Sequence, residues 1–93
     1  MRADEAKAAG LVNRLVAKGQ ARATATEIAT TIAANGPVAV RQAKKAIAYG
    51  AEMDLDTAMI LAIEAYNATV VTEDRLEGVR AFNEKRKPQF KGK

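Results

Sequence analysis

The sequence predicts an all-α fold, a small bundle of about four to five helices with one short extended segment near the N-terminus. Three observations lead to this fold class. Apolar residues recur at spacings of three and four through most of the 93 residues. Residues that end helices, such as Gly10, Gly36 and Pro88, fall at the ends of these periodic stretches. Only Gly10–Val16 lacks helical spacing, and no other segment has the pattern of a partner strand.

The composition excludes several classes of protein. The chain has the length of one compact domain, and we see no linker that would divide it. Its hydrophobic fraction is 48% but only 4% is aromatic, so a core of mostly Ala, Val, Ile and Leu would be marginally stable by itself. The absence of Cys and His excludes disulfides, thiol nucleophiles, imidazole bases and the usual zinc ligands. No apolar run approaches the roughly 20 residues of a membrane span, and the start is acidic, so we expect a cytoplasmic protein.

The first third of the chain predicts two helices. Strong helix formers from Arg2 to Ala9 end at Gly10, which is a natural helix stop. The following Gly10–Val16 stretch reads as extended and would need a sheet or a groove to rest on. A second helix begins near Ala21 to Thr24, and its apolar stripe consists of Ala25, Ile28, Ala29, Ile32 and Ala33.

A third helix follows directly. Gly36 suits a left-handed cap that ends the second helix, and Pro37 suits the first turn of the third. The third helix is expected to stop around Gly50. Its predicted buried face consists of Val40, Ala43, Ala46 and Ile47.

The last two helices carry the clearest signals. The fourth runs from about Asp54 to Val71, with Asp54 or Asp56 as its cap. Its predicted apolar face consists of Leu55, Ala58, Met59, Ala62, Ile63 and Tyr66. Thr72 fits the N-cap of a fifth helix that Pro88 ends, leaving 89–93 irregular. The apolar residues of the fifth helix are Leu76, Val79 and Phe82.

All of the excess positive charge lies at the C-terminus. Residues 1–83 carry ten Lys/Arg and ten Asp/Glu, whereas residues 84–93 carry five basic residues against Glu84 alone. A basic tail can attract phosphate on a cofactor, a nucleic acid or a membrane. It can equally be a frayed, solvated terminus, and the sequence leaves both alternatives open.

The residues that carry chemistry predict neither a catalytic nor a metal site. Without His or Cys, only carboxylates could act as bases, and most candidates sit where an exposed helix face would place a Glu anyway. These candidates are Glu52, Glu64, Glu73, Glu77 and Glu84. The glycines are too far apart for a phosphate loop, and the acidic stretch 52–56 lacks the Gly and closing Glu of a calcium loop.

The C-terminal stretch 72–92 reads TEDRLEGVRAFNEKRKPQFKG. It closely resembles the C-terminal signature of the enoyl-CoA hydratase/isomerase (crotonase) superfamily. Upstream segments resemble the same family in order, so the resemblance covers essentially the whole chain. These segments are 3–6, 10–13 and 36–40, together with Lys44, Ala46 and Ile47. Within this superfamily, the sequence resembles the methylglutaconyl-CoA hydratase branch most.

The resemblance implies an enzyme of which this chain is one part. The family binds an acyl-CoA thioester, polarises its carbonyl with two backbone N–H groups and uses carboxylates to move water or protons. Those groups belong to an N-terminal spiral core. Residues 1–93 resemble the C-terminal helical domain, with 1–19 leaving the missing core, 20–87 helical and 88–93 a basic tail. The expected partners are acyl-CoA, the missing core and further copies in a trimer or dimer of trimers, with no membrane. No cofactor is expected to be covalently bound, and the chain alone is expected to be inactive.

Two residues match ligand positions of the family. Tyr66 matches an aromatic position of the family, commonly Phe, that lies near the CoA adenine. Lys85 matches a basic position that contacts a CoA phosphate. From the sequence alone, Tyr66 could equally be a core aromatic packed among alanines. Lys85 could equally serve only to favour the negative end of a helix. Neither residue could perform the reaction.

Two other function classes remain open at this point. The apolar faces and the Gly10–Val16 segment could make the chain a helical module that binds another protein. The basic tail could bind nucleic acid, as the resemblance implies for some relatives. Phe90 is the only aromatic residue in the tail and residues 1–83 are neutral, so nucleic-acid binding ranks last.

Overall fold

The computed structural model describes all residues 1–93 and contains five α-helices and no strand, which confirms the all-α prediction. By its internal contacts the chain forms two compact units, Met1–Thr30 and Thr31–Lys93. No helix is long and apolar enough to cross a membrane. The helices are α1 (Ala3–Ala8), α2 (Ala21–Ala33), α3 (Pro37–Gly50), α4 (Leu55–Val70) and α5 (Glu73–Asn83).

The first unit contains α1 and most of α2. Gly10 ends α1 as predicted, with a positive φ of 75° that lets the Leu11 N–H donate to the Ala6 carbonyl at 2.9 Å. The stretch that follows is irregular, and its Leu11 and Leu15 are exposed. The predicted extended segment therefore forms no strand, because no second strand accepts its backbone hydrogen bonds.

The junction between α2 and α3 differs from the prediction. Gly36 is not a left-handed cap, because its φ is −58° and its ψ is 123°. It is instead the N-cap of α3, where the following Pro37 disfavours helical geometry. The side-chain amide of Asn35 ends α2 by donating to the carbonyls of Thr31 and Ile32, at 2.9 and 3.3 Å.

The second unit is built on the packing of α3 against α4. Ala58, Leu61, Ala65 and Thr69 lie on one side of α4 and are all at least half-buried. Ala65 is only 7% exposed, and a Cβ at Gly50 would lie 3.5 Å from the Ala58 side chain. Small residues thus line the contact and let the two backbones approach closely.

The predicted buried face of α3 is only partly buried, and the predicted apolar faces of α4 and α5 are largely exposed. The bulky members of these faces are exposed. They are Ile47 on α3, Leu55, Met59, Ile63 and Tyr66 on α4, and Leu76, Val79 and Phe82 on α5. In this chain only Ala65 and Ala81 are buried apolar residues. Helical spacing identified apolar surface correctly, but this chain by itself does not cover it.

The caps of α4 and α5 confirm the sequence signals. Asp54 caps α4 by accepting the Thr57 N–H at 3.0 Å, and its other oxygen accepts the Thr57 hydroxyl at 2.7 Å. The hydroxyl bond from Thr57, followed by the backbone bond, lowers the pKa of Asp54. The Thr72 hydroxyl caps α5 by accepting the Arg75 N–H at 3.1 Å.

We expect Thr72→Ala to destabilise the protein by about 1 kcal/mol, because it removes the side-chain acceptor of the α5 N-cap. Thr72→Ser should retain most of the stability. Thr26→Ala is the matched control, since the Thr26 hydroxyl only bonds back to the Arg22 carbonyl within α2. Urea unfolding followed by circular dichroism measures the difference. Equal losses in Thr72→Ala and Thr26→Ala would contradict the role of the cap.

Candidate functional site

The helix α5 ends five residues before Pro88, which corrects the prediction that Pro88 ends it. After Asn83 the chain reverses at Lys85 and runs back along α5. Residues 88–93 are irregular as predicted, but they are not a frayed terminus. We call the side chains of Asp74, Glu77 and Arg86, with the backbone of 88–93, the C-terminal clasp.

Asp74 anchors the distal part of the clasp. Its carboxylate accepts the Lys91 N–H at 2.6 Å through Oδ1 and the Gly92 N–H at 2.7 Å through Oδ2. The Asp74 N–H in turn donates to the Lys93 carbonyl at 3.0 Å. The residue is only 6% exposed, so these bonds replace the water that the charged carboxylate would otherwise bind.

Phe90 supplies the apolar contact of the same segment. Its ring lies 3.7 Å from the position that a Cβ on Gly78 would take, and 3.8 Å from the corresponding position on Gly36. It also lines a cavity of about 480 Å³ together with Val38, Thr69, Val79 and Phe82. The tail is therefore part of the wall of a mostly apolar cavity beside α5.

Glu77 anchors the proximal part of the clasp. Its two carboxylate oxygens accept hydrogen bonds from the two terminal nitrogens of Arg86, at 2.6 and 3.0 Å. The Gln89 N–H also donates to Glu77 Oε1 at 2.8 Å, and Arg86 Nε donates to Glu84 at 2.5 Å. The Arg86 bonds, then the Gln89 N–H, lower the pKa of Glu77 to about 2. The hydrogen bonds of Arg86 to Glu77, and then to Glu84, raise the pKa of Arg86.

Lys85 is the residue at which the chain reverses. It has a φ of 53° and is the only non-glycine residue with a positive φ. The Lys85 N–H donates to the Phe82 carbonyl at 3.2 Å, and the Arg86 N–H donates to the Ala81 carbonyl at 3.0 Å. This is the Schellman pattern, which usually has Gly at the left-handed position. A side chain there costs roughly 1–2 kcal/mol, so Lys85 occupies a strained position.

The clasp changes the charge of the tail. Arg86 is neutralised by two carboxylates, and Lys93 lies 3.9 Å from Glu73. Lys85, Lys87 and Lys91 form no salt bridge, so their ammonium groups are available to an anion. The candidate ligand residue Lys85 is thus an exposed, unpaired cation on a fixed turn.

Tyr66 lies on α4 and is 61% exposed, so the alternative that it is a packed core aromatic is wrong for this chain. Tyr66 lines a cavity of about 370 Å³ in the groove between α3 and α4, beside Gln42, Ile47 and Ala62. Lys85 does not line this groove. The structure therefore leaves the ring of Tyr66 accessible but gathers no second candidate residue around it.

Sequence reasoning missed the contacts of the clasp residues. Glu77 was considered only as a base on an exposed helix face, and Asp74 was not considered as a site residue. Their partners lie 9 to 18 positions along the chain. No helical spacing relates such positions; the one available signal was the basic run Lys85–Lys87 before Pro88. The chain has no group of three or more acidic residues that could hold a metal ion.

Comparison with known proteins identifies the relatives of the chain. Residues 1–93 match the family model described as enoyl-CoA hydratase/isomerase. The short-chain-enoyl-CoA hydratase of Clostridium acetobutylicum is 45% identical over 94% of the chain and 33% of its own length. The mitochondrial methylglutaconyl-CoA hydratase of Mus musculus is 44% identical over 95% of the chain and 29% of its own length.

The fold is similar to solved structures as well. The crystal structure of an enoyl-CoA hydratase from Bacillus anthracis superposes with a TM-score of 0.94 at 48% identity. The match covers 98% of this chain and 35% of that one. The chain thus spans about a third of the length of the relatives that it matches.

We expect acid to open the proximal clasp well below the usual range of a glutamate. The pKa of Glu77 lies at about 2 in the folded protein against 4.5 for the free group. Its contribution to stability is therefore fully present above pH 4.5 and is lost as the pH falls from there through 2. NMR titration of the Gln89 amide should show a midpoint near 2, and Glu77→Gln should abolish that titration. A midpoint near 4.5 would contradict the clasp.

We expect Lys85→Gly to stabilise the protein by about 1 kcal/mol, because glycine adopts a positive φ without steric cost. Lys87→Gly is the matched control, since Lys87 has no positive φ and should gain nothing. Thermal unfolding of both variants measures the difference. A loss of stability in Lys85→Gly would show that the turn at Lys85 is not strained.

Proposed function

Since the chain belongs to the enoyl-CoA hydratase/isomerase family, we propose that residues 1–93 form the C-terminal helical domain of an enzyme that hydrates 2-enoyl-CoA thioesters. In this proposal the chain contributes CoA contacts and oligomer packing, and it contains no catalytic core. The observation that best supports this proposal is that the family model matches residues 1–93 while the chain covers only about a third of each relative. A cytoplasmic location is part of the proposal.

The exposed apolar surface supports a role in packing against further protein. Most bulky apolar residues of α4 and α5 are exposed, and only two alanines form the buried apolar core. Such a surface is costly in water unless a partner covers it. The partners that we propose are the N-terminal core of the same enzyme and further copies in a trimer or a dimer of trimers.

The unpaired cation supports the proposed contact with CoA. An ammonium that has no carboxylate partner gains a charge-assisted hydrogen bond when it meets a phosphate oxygen. Lys85 has this property, whereas Arg86 next to it does not. The exposed ring of Tyr66 offers an apolar face on which the adenine could stack.

The chemistry of this chain is binding and positioning. The resemblance assigns the oxyanion donors and the catalytic carboxylates to the core domain, and none of the carboxylates here has a proposed catalytic role. Lys85 would hold a phosphate and Tyr66 the adenine, which would orient the thioester toward the core.

A helical protein-interaction module is the second candidate, because the same exposed apolar residues would serve it. Light scattering across a concentration series tests whether the chain is such a module. Self-association that depends neither on a core domain nor on CoA would favour it. Nucleic-acid binding has less support, since Arg86 and Lys93 are paired with carboxylates.

We expect Lys85→Ala to weaken the binding of crotonyl-CoA by about tenfold or more, because a charge-assisted hydrogen bond to phosphate is lost. Lys87→Ala removes an equal charge two residues away and should have a smaller effect. NMR titration measures binding by the chain alone and after addition of the core domain of a relative. If crotonyl-CoA binds in neither case, or if both variants bind like the unmodified chain, the CoA role fails. Enzyme-like hydration by the chain alone would contradict the missing core.

A further inference from the structure

The turn at Lys85 opposes the local preference of the sequence. Residues 84–87 read Glu-Lys-Arg-Lys, all strong helix formers, and the sequence alone predicts that α5 continues to Pro88. The structure ends α5 at Asn83 and places Lys85 in a left-handed conformation. Two conformations therefore compete after residue 83, a continued helix and the observed reversal. Something outside the turn has to favour the reversal.

Glu77 is positioned to favour the reversal over a continued helix. It lies one helical turn before Ala81 on the same face of α5. Arg86 is hydrogen-bonded to α5 at both of these positions. Its backbone N–H donates to the Ala81 carbonyl, and its guanidinium donates to the Glu77 carboxylate. In a continued helix, position 86 would lie about 13 Å further along the axis than position 77. The two-point attachment of Arg86 therefore requires the reversal at Lys85.

The Gln89 N–H adds a second link to the same carboxylate, at 2.8 Å. The Glu77 side chain is only 20% exposed, which limits the competition from water for these bonds. By comparison, Glu84 contacts Arg86 only through Nε and is more exposed. Glu77 is thus the acceptor that ties both sides of the turn to α5.

We propose that Glu77 is the positioning residue for Lys85: by holding Arg86 and the Gln89 N–H against α5, it fixes the strained turn and with it the direction of the Lys85 ammonium toward a phosphate of the CoA thioester. The inference rests on the proposed function, since it takes Lys85 as the phosphate ligand. Glu77 would act without touching the ligand, and its negative charge would otherwise disfavour an anion. Positioning and simple electrostatics therefore predict opposite effects of removing it.

The test is a double-mutant cycle with Glu77→Ala, Lys85→Ala and the double variant, using crotonyl-CoA as the probe and NMR titration as the measurement. Glu73→Ala is the matched control, because it removes the same charge from α5 but only a 3.9 Å pairing with Lys93. Glu77→Ala should weaken binding by about fivefold or more, and Glu73→Ala should leave it equal or tighter. The effect of Glu77→Ala should vanish in the Lys85→Ala background.

A second measurement reports the turn itself and needs no ligand. The ¹³Cα shifts of residues 84–87 should become helical in Glu77→Ala and stay unchanged in Glu73→Ala. Glu77→Gln, which keeps an acceptor but loses the charge, should give an intermediate shift and serves if Glu77→Ala folds poorly.

The outcomes separate the two claims. If Lys85→Ala does not weaken binding, the proposed function fails, and the positioning role fails with it. If Lys85→Ala weakens binding but Glu77→Ala behaves like Glu73→Ala, the proposed function stands and the positioning role is overturned. Equal losses from Glu77→Ala with and without Lys85 would indicate a general structural role and would also overturn it.

Discussion

Two carboxylates on one face of α5 hold the whole C-terminus of this chain. Asp74 accepts the backbone N–H groups of Lys91 and Gly92, and Glu77 accepts Arg86 and the Gln89 N–H. Charged acceptors form stronger hydrogen bonds than neutral ones, and here they act on a segment with no secondary structure of its own. Without them, residues 84–93 would keep the Phe90 contact, the Schellman bonds, the bond from the Asp74 N–H to the Lys93 carbonyl and the 3.9 Å pairing of Lys93 with Glu73. The conformation of Lys85, and therefore the candidate ligand site, depends on this arrangement.

The packing of α3 against α4 has a different consequence. Alanine and glycine at the contact allow close approach, but they bury little apolar area, and most of the larger Ile, Leu, Met and Phe side chains are left exposed. This distribution is unusual for a self-sufficient domain of this length, which depends on burying such residues. It fits the proposal that the bulky faces pack against further protein. The family membership and the fraction of each relative that the chain spans agree with this interpretation.

Local signals in the sequence predicted the elements well. Gly10 ends α1, Pro37 begins α3, and Asp54 and Thr72 cap α4 and α5, because each of these roles involves residues within three or four positions. The predictions that failed are of two kinds. Gly36 was assigned to the end of α2 when the adjoining Pro37 makes it the cap of α3. Ile47 was placed on a buried face, but this chain leaves it exposed.

The sequence by itself determined the helices, their caps, the family and the two candidate ligand residues, because short spacing and a continuous motif carry that information. The tertiary structure decided that α5 stops at Asn83, that Tyr66 is exposed and that Lys85 is held on a strained turn. The physical reason is that helix propensity favours continuing through residues 84–87, whereas the pairing of Arg86 with Glu77 and the bonds of the tail to Glu77 and Asp74 favour the reversal. An interaction between positions nine residues apart and on opposite sides of a turn leaves no periodic trace in a single sequence.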